Sequence, residues 1–187
     1  MSRTAPTPTA FPVLFLGGTR SGKSRQALLE GEAVLARVGP DARGLFVATA
    51  RALDAEMAER IARHRAERGP AWETLEEPLD LAGALADADG RYGVILVDCL
   101  TLWLANRLAR DPAGAAAAVD ELAGAAARLA TPAVFVSNEV GWGLVPPDPA
   151  SRRFRDMAGR LHQALAAVCP RVILVVAGRR LDLPAGP

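Results

Sequence analysis

Five short apolar runs, rich in β-branched residues, recur along the chain at residues 13–16, 45–48, 94–97, 133–136 and 172–176. Each run is apolar throughout instead of alternating with polar residues, and this pattern is typical of strands that are buried on both faces. Segments of helical character lie between or after them, at residues 24–38, 54–68, 113–129 and 151–168. Strands that alternate with helices form a mostly parallel sheet through right-handed crossovers. The sequence therefore predicts an α/β fold of three layers.

These strands and helices fit one domain. The chain has 187 residues, an ordinary size for a domain with a single core. We place the domain at residues 12–180. Residues 1–11 are rich in proline, threonine and alanine and predict a disordered lead-in, and residues 181–187 predict a loose tail.

The composition argues against several classes of protein. Lysine and arginine number 22 against 21 aspartate and glutamate residues, so the formal net charge is +1. A dedicated nucleic-acid binder needs a basic surface, and we expect no nucleic-acid partner. No apolar run approaches the roughly 20 residues of a membrane-spanning helix. The two cysteines, Cys99 and Cys169, fit neither a metal-ligand spacing nor a disulfide framework, which favours a reduced, cytoplasmic setting.

A glycine-rich segment that matches G-x-x-x-x-G-K-[ST] follows the first apolar run and opens a helix. It consists of Gly17, Gly18, Thr19, Arg20, Ser21, Gly22, Lys23 and Ser24. In such a loop the backbone N–H groups point at a polyphosphate, the lysine adds charge at the β- and γ-phosphates, and the hydroxyl binds Mg²⁺. Lys23 is the only lysine of the chain, which argues against an ordinary surface lysine. We therefore predict a phosphate-binding loop.

Asp98 directly follows the apolar run at residues 94–97. An enzyme with this loop needs a carboxylate at the end of a neighbouring strand to hold Mg²⁺. Asp98 could instead cap the helix that follows, but its pairing with the phosphate-binding loop favours the metal role. This combination predicts Mg-nucleotide binding and leaves kinase, nucleotidyltransferase, ATPase and GTPase activities open.

His64 lies in the predicted helix 54–68 and has two interpretations. It shares one helix face with Ile61, as a half-buried histidine at the edge of a core would. Arg60 and Arg68 lie one turn away on either side. Such cations would keep the imidazole neutral and nucleophilic and would neutralise a triphosphate. From spacing alone the structural role is favoured, because arginine-rich helix faces are usually solvated.

The second histidine, His162, lies off the apolar line of helix 151–168, which predicts a surface or rim position. Arg152, Arg153 and Arg155 crowd the start of the same helix. Their charge and the helix N–H groups could bind an anion, although a solvated face is at least as good an interpretation.

Six segments, taken in order, resemble one known family. They are GGTRSGKS, FVATA, DAEMAERIARHRAERGPAWETLEEP, VDCLTLWLAN, VSNEVGWGLVPPDPASRRFRDMAGRLHQALA and VILVVAG. The family is the bifunctional adenosylcobinamide kinase / adenosylcobinamide-phosphate guanylyltransferase of cobalamin biosynthesis. The resemblance covers nearly the whole chain, and SNEVGWGLVP and RRFRDMAGR are far more specific than a phosphate-binding loop.

This resemblance implies an activity in two steps. The enzyme phosphorylates the aminopropanol hydroxyl of adenosylcobinamide with ATP or GTP. It then transfers GMP from GTP to that phosphate, which yields adenosylcobinamide-GDP and pyrophosphate. The guanylylated histidine of the family falls on His64. The family fold is similar to the RecA-like P-loop architecture, and its members assemble as trimers with sites near the subunit contacts.

The resemblance also implies which residues bind nucleotide and metal. The nucleotide contacts fall on Gly17, Gly18, Thr19, Arg20, Ser21, Gly22, Lys23, Ser24, Thr49, Ala50, Arg51, Arg65, Ala66, Glu67, Arg68, Glu76 and Asp98. Ser24 and Asp98 are the expected Mg²⁺ ligands, with Lys23 and His64 as the catalytic residues. Glu139, Asp54 and Glu56 remain alternative bases for the kinase step. Trp142 lies between two glycines and could contact the corrin or pack, with packing slightly favoured.

Two other functions compete with this interpretation. One is a monofunctional P-loop kinase for a small molecule, in which His64 is structural. The other is a regulatory GTPase switch. Such switches commonly read guanine with an Asn-Lys-x-Asp motif, which this chain cannot contain because its only lysine is Lys23.

Overall fold

Seven strands form one sheet in the computed structural model, which describes residues 11–50 and 68–185. The strands are β1 (Val13–Gly17), β2 (Gly44–Ala48), β3 (Trp72–Glu76), β4 (Val94–Asp98), β5 (Ala133–Asn138), β6 (Arg171–Val176) and β7 (Arg179–Leu183). The helices in these ranges are α1 (Lys23–Val38), α2 (Leu81–Ala88), α3 (Leu100–Arg110), α4 (Ala115–Arg128) and α5 (Pro149–Ala166).

The order of the strands across the sheet is β3-β2-β4-β5-β1-β6-β7. Strands β1 to β6 pair in parallel, and β7 pairs antiparallel with β6 at one edge. All five apolar runs form strands, as predicted. The parallel strands end at one edge of the sheet, where α/β proteins bind their ligands.

Two hydrophobic cores cover the two faces of the sheet. Side chains alternate along a strand, so that Leu14 of β1 packs into one core and Phe15 into the other. The core of Phe15 lies against α1, which contributes Ala27, Val34 and Leu35. The opposite core receives buried side chains from α2, α3, α4 and α5. The structure thus confirms the predicted α/β fold of three layers.

Two strands and two helices were not predicted, and each has a physical reason. Strand β3 is half exposed at the sheet edge, and its sequence WETLE gives no apolar run. The side chains of β7 are exposed along its whole length. The structure corrects the prediction of a loose tail from residue 181, because β7 continues to Leu183. Helix α2 has eight residues and starts where the Asp80 carboxylate accepts a hydrogen bond from the Gly83 N–H.

Part of helix α3 lies in a segment that resembles the family, but no helix was predicted there. It buries Leu100, Trp103 and Leu104, a spacing that places all three side chains on one helix face. The predicted helix 54–68 and the lead-in lie outside the described residues, apart from Phe11 and Arg68. No helix within residues 11–50 and 68–185 is both long and apolar enough to cross a bilayer.

Candidate active site

The glycine-rich segment connects β1 to α1, as the sequence predicts. Gly17 ends β1, and a Cβ atom there would lie 2.5 Å from the Val175 carbonyl oxygen and 2.6 Å from Ser21 Oγ. Gly22 has a φ of 93°, in the left-handed region. A side chain is therefore excluded at Gly17 and strained at Gly22. The two glycines allow the sharp turn between the strand and the helix.

Lys23 folds back over this turn. Its side chain is only 7% exposed, and its Nζ atom donates a hydrogen bond to the Gly18 carbonyl oxygen at 3.2 Å. The Ser21 N–H donates to the same oxygen at 3.2 Å. Among the described residues no side chain caps the first turn of α1. The ammonium group and the N–H groups of this turn therefore suit a polyphosphate.

The turn between β6 and β7 supports the phosphate-binding loop from one side. The Gly178 N–H donates to the Ser21 carbonyl oxygen at 2.8 Å, and Gln26 Nε2 donates to the Gly178 carbonyl oxygen at 3.2 Å. Arg180 of β7 donates from Nε to Gln26 Oε1 at 2.6 Å and from Nη2 to the Gln26 carbonyl oxygen at 2.7 Å. The loop and the start of α1 are thus fixed to the last strand.

Glu30 of α1 anchors the same hairpin through two ion pairs. Arg171 lies 2.7 Å from Glu30 Oε1 and Arg180 lies 2.8 Å from Glu30 Oε2. Burial raises the pKa of the Glu30 carboxyl, but the hydrogen bonds and charges of the two arginines outweigh it and lower the pKa overall. Glu30 is therefore ionised at neutral pH and holds α1 against β6 and β7.

A cavity of about 460 Å³ opens beside the first turns of α1. It is lined by Ser24, Arg25, Leu28, Leu29, Glu32, Phe46, Arg68 and Asp98. The Arg68 guanidinium lies over the Phe46 ring, with Cζ 3.6 Å from the ring centroid, and this cation–π contact orients the arginine. The cavity brings together a hydroxyl, a carboxylate and a guanidinium that the sequence predicted at separate positions.

Thr49 holds the strand end that carries Asp98. Its hydroxyl donates to the Cys99 carbonyl oxygen at 2.7 Å and accepts from the Cys99 N–H at 2.9 Å. Its own carbonyl oxygen accepts from Asn106 Nδ2 at 3.0 Å. The resemblance implied a nucleotide contact for Thr49. That contact stays a prediction; in the structure Thr49 is completely buried, and its hydroxyl positions the end of β4.

The two cysteines are buried thiols. Burial raises the pKa of the Cys99 thiol, and it raises the pKa of Cys169 to about 12. A thiol is nucleophilic only as the thiolate. Neither cysteine therefore has the properties of a nucleophile at neutral pH.

The prediction of a surface or rim position for His162 is wrong. The side chain is 8% exposed instead of lying at the surface, and its Nε2 atom is 2.7 Å from Ser137 Oγ. Its Nδ1 atom lies 3.8 Å from Glu139 Oε2. Burial lowers the pKa of His162, and the charge of Glu139 opposes that shift only in part. The sequence signal was the serine near the end of an apolar strand, which needs a buried hydrogen-bond partner.

The arginines at the start of α5 bind backbone carbonyls. Arg153 Nη2 donates to the Pro112 carbonyl oxygen at 2.9 Å, and Arg152 and Arg155 donate to the segment that precedes α5. Asp148 occupies the helix N-terminus, where its carboxylate accepts from the Ser151 N–H at 2.8 Å. Arg153 is exposed, as the solvated face predicts, while Arg152 and Arg155 are partly buried. Anion binding at this helix start stays a prediction.

The structure does not place the other predicted site residues in the cavity. Glu76 ends β3 at the carboxyl edge, pairs in register with Ala48, and is not among the residues that line the cavity. Ala50 is the last described residue of its range. The remaining predicted residues fall outside the described ranges: Arg51, His64, Arg65, Ala66 and Glu67.

A glycine-rich turn with its lysine, and an acidic strand end beside the same helix, define a P-loop nucleotide-binding protein. Comparison with known sequences gives the particular family. The chain belongs to the family described as cobinamide kinase / cobinamide phosphate guanyltransferase, whose model matches residues 13–183. This confirms the resemblance found in the sequence and makes the chain a transferase.

Three bifunctional adenosylcobalamin biosynthesis proteins are similar to this chain. CobP of Pseudomonas aeruginosa is 46% identical, over 93% of this chain and 98% of its own length. CobU of Salmonella typhimurium is 39% identical and CobU of Escherichia coli is 37% identical, each over 89% of this chain and 96% of its own length. The similarity therefore extends over almost the whole of each protein.

Proposed function

We propose that this chain phosphorylates the aminopropanol hydroxyl of adenosylcobinamide with ATP or GTP and then transfers GMP from GTP to the new phosphate. The products of the second step are adenosylcobinamide-GDP and pyrophosphate. The observation that carries this proposal is the cavity that joins Ser24, Arg68 and Asp98 beside the phosphate-binding loop, in a chain of this family.

The loop binds the phosphates of the nucleotide in this proposal. Backbone N–H groups of Gly17 to Ser24 surround the β- and γ-phosphates, and Lys23 Nζ, held over the turn by Gly18, places its charge there. The Arg68 guanidinium, which lines the cavity, supplies a further cation. Such preorganised donors stabilise the negative charge that develops on phosphate oxygens in the transition state.

Ser24 and Asp98 fit an Mg²⁺ site. They offer a hydroxyl and a carboxylate oxygen in one cavity, and Mg²⁺ prefers oxygen ligands. Within the described ranges there is no cluster of three histidine, cysteine, aspartate or glutamate side chains that would hold a metal alone. A site with only one or two protein ligands is typical of Mg²⁺, which takes its other ligands from phosphates and water. When bound, the ion would neutralise phosphate charge.

His64 is the proposed nucleophile of the second step. A neutral imidazole nitrogen attacks the α-phosphorus of GTP, an N–P bond forms, and the bond to the β-phosphate breaks to release pyrophosphate. A phosphate oxygen of the cobinamide phosphate then attacks the same phosphorus and displaces the imidazole. Arg68 follows His64 by four residues, and its position in the nucleotide cavity supports a role for this segment near the phosphates.

We propose a cytoplasmic homotrimer that has no nucleic-acid partner. The formal net charge of +1 supports the absence of nucleic-acid binding. The trimer, with sites near subunit contacts, follows from the resemblance to the family. Light scattering of the purified protein measures the number of subunits.

The test of the function is the intact mass of the protein after incubation with GTP and Mg²⁺ and without corrinoid. We expect the wild type to gain one GMP through an acid-labile bond, and His64→Ala to gain none. His162→Gln is the matched control, because it changes the other histidine and leaves His64 in place. If folded wild-type protein binds GTP and forms no adduct, the chain is a monofunctional kinase with a structural His64.

A further inference from the structure

Three apolar side chains are exposed on the segment that joins β5 to α5, residues 139–148. Trp142 is 75% exposed, Leu144 95% and Val145 72%. Packing within the chain, which the sequence slightly favoured for Trp142, is therefore wrong. Exposed large apolar side chains gathered on one short segment are a common mark of a binding site. We call these three residues the apolar patch.

The backbone beneath the apolar patch is held firmly. Arg155 donates from Nη2 to the Gly141 carbonyl oxygen at 2.5 Å and from Nη1 to the Leu144 carbonyl oxygen at 2.7 Å. Arg152 Nη1 donates to the carbonyl oxygens of Pro146, at 3.0 Å, and Pro147, at 2.6 Å. The segment thus has a fixed shape before any ligand arrives, which lowers the entropy cost of binding.

The segment that carries the apolar patch begins next to the phosphate-binding loop. The segment begins at Glu139, whose N–H donates to the Gly17 carbonyl oxygen at 3.0 Å. Strand β5 lies between β1, which leads into the loop, and β4, which ends at Asp98. A molecule that receives the γ-phosphate must approach the nucleotide at this edge of the sheet. The segment that carries the apolar patch therefore begins at the edge where the phosphate acceptor arrives.

We infer that the apolar patch binds the corrin ring of adenosylcobinamide and so determines the specificity of the kinase step. This inference rests on the proposed function. The acceptor carries its hydroxyl on an arm of a wide macrocycle whose faces are largely apolar. An indole ring and two exposed aliphatic side chains on one segment are a suitable surface for such a face.

The size of the patch favours the corrinoid over a second copy of the chain. An aromatic side chain buries about 150–250 Å², and the whole patch offers a few hundred Å² at most. A stable interface between proteins needs about 800 Å² from each partner. The apolar patch alone is too small for that and is well matched to a macrocyclic ligand.

The test compares the double variant Trp142→Ala/Leu144→Ala with Val38→Ala. Val38 is also an exposed apolar residue, but it ends α1, about 24 Å along the helix from the phosphate-binding loop. We expect the double variant to raise the KM for adenosylcobinamide about tenfold or more. The KM for the nucleotide and the gain of GMP without corrinoid remain as in wild type. The single variant Trp142→Phe keeps an aromatic ring, and we expect its KM for adenosylcobinamide to stay close to that of wild type.

Other outcomes overturn the inference. An unchanged KM for adenosylcobinamide in the double variant shows that the patch does not bind the corrin. If light scattering shows fewer subunits in the double variant than in wild type, and the KM for adenosylcobinamide is unchanged, the patch is a contact between subunits. If the wild type forms the GMP adduct while the KM is unchanged, only this inference fails. If the wild type shows neither the adduct nor phosphorylation, the proposed function fails and this inference fails with it.

Discussion

Glu30 is a partly buried and His162 a buried titratable side chain, and their neighbours give them different charge states. Two arginines lower the pKa of Glu30 against the effect of burial, so that it remains an anion. Burial lowers the pKa of His162, in spite of the charge of Glu139, whose Oε2 lies 3.8 Å from the His162 Nδ1 atom. The neutral ring can accept or donate at Ser137, which a fully buried hydroxyl requires.

His162 makes the stability of the fold depend on pH. An unfolded histidine titrates near pH 6.5, and the folded pKa lies lower, so the unfolded chain binds more protons between the two values. The free energy of unfolding contributed by His162 is therefore complete above about pH 6.5 and is lost as the pH falls through the folded pKa. We expect His162→Gln to reduce the difference in stability between pH 7.5 and pH 5.5, measured by urea unfolding.

His64→Gln is the matched control for this measurement, because it removes the only other histidine of the chain. An equal or larger effect of His64→Gln would assign the pH dependence to that residue. If the difference in stability between pH 7.5 and pH 5.5 is nearly the same in wild type and in His162→Gln, the burial of His162 does not cause the pH dependence.

At the scale of elements, the β6–β7 hairpin forms one edge of the sheet and also supports the phosphate-binding loop. Its turn is hydrogen-bonded to the phosphate-binding loop through Gly178 and Ser21, and Arg180 joins β7 to Gln26 and Glu30 of α1. The loop must hold its curled shape to present N–H groups to phosphate. The final strand therefore positions the phosphate-binding loop through its contacts with the start of α1.

We expect Arg180→Ala to weaken nucleotide binding about 3- to 10-fold, because it removes charge-assisted hydrogen bonds that fix the start of α1. Isothermal titration with GTP and Mg²⁺ measures the effect. Arg179→Ala is the control, since Arg179 is the exposed neighbour on the same strand. Equal Kd values in wild type and Arg180→Ala, with the fold intact, would show that the loop keeps its shape without the hairpin.

For the molecule as a whole, the sequence predicted what depends on local pattern. The buried parallel strands are apolar runs, and the phosphate-binding loop has its own spacing, so both were found. Strand β7 was missed because its residues are exposed and its pairing with β6 is a tertiary contact. The cavity depends on Phe46 and Arg68 meeting beside α1, and no local pattern encodes that contact.

The last prediction concerns the ligand that completes the site. A ligand that binds only the folded state at 100 times its Kd adds about 2.7 kcal/mol to stability, which raises the Tm of a chain of this size by about 5–10 °C. We expect GTP with Mg²⁺ to give a shift of this order and GTP with a chelator to give a much smaller one. Lys23→Arg should lose the shift, because a guanidinium does not fit the nearly buried position over Gly18.

Asp98→Asn separates the metal from the nucleotide. The amide keeps the size of the side chain and removes the charge that Mg²⁺ requires. We expect Asp98→Asn to retain the small increase in Tm that GTP gives in the presence of a chelator. We expect it to lose the further increase in Tm that Mg²⁺ adds in wild type. Arg37→Lys, an exposed change at the far end of α1, should behave as wild type. The structure does not support the alternative role of Asp98 as a helix cap, because the N-cap of α3 is Cys99 and no side chain in the described ranges caps that helix. A full Mg²⁺-dependent increase in Tm for Asp98→Asn would therefore place the metal away from β4.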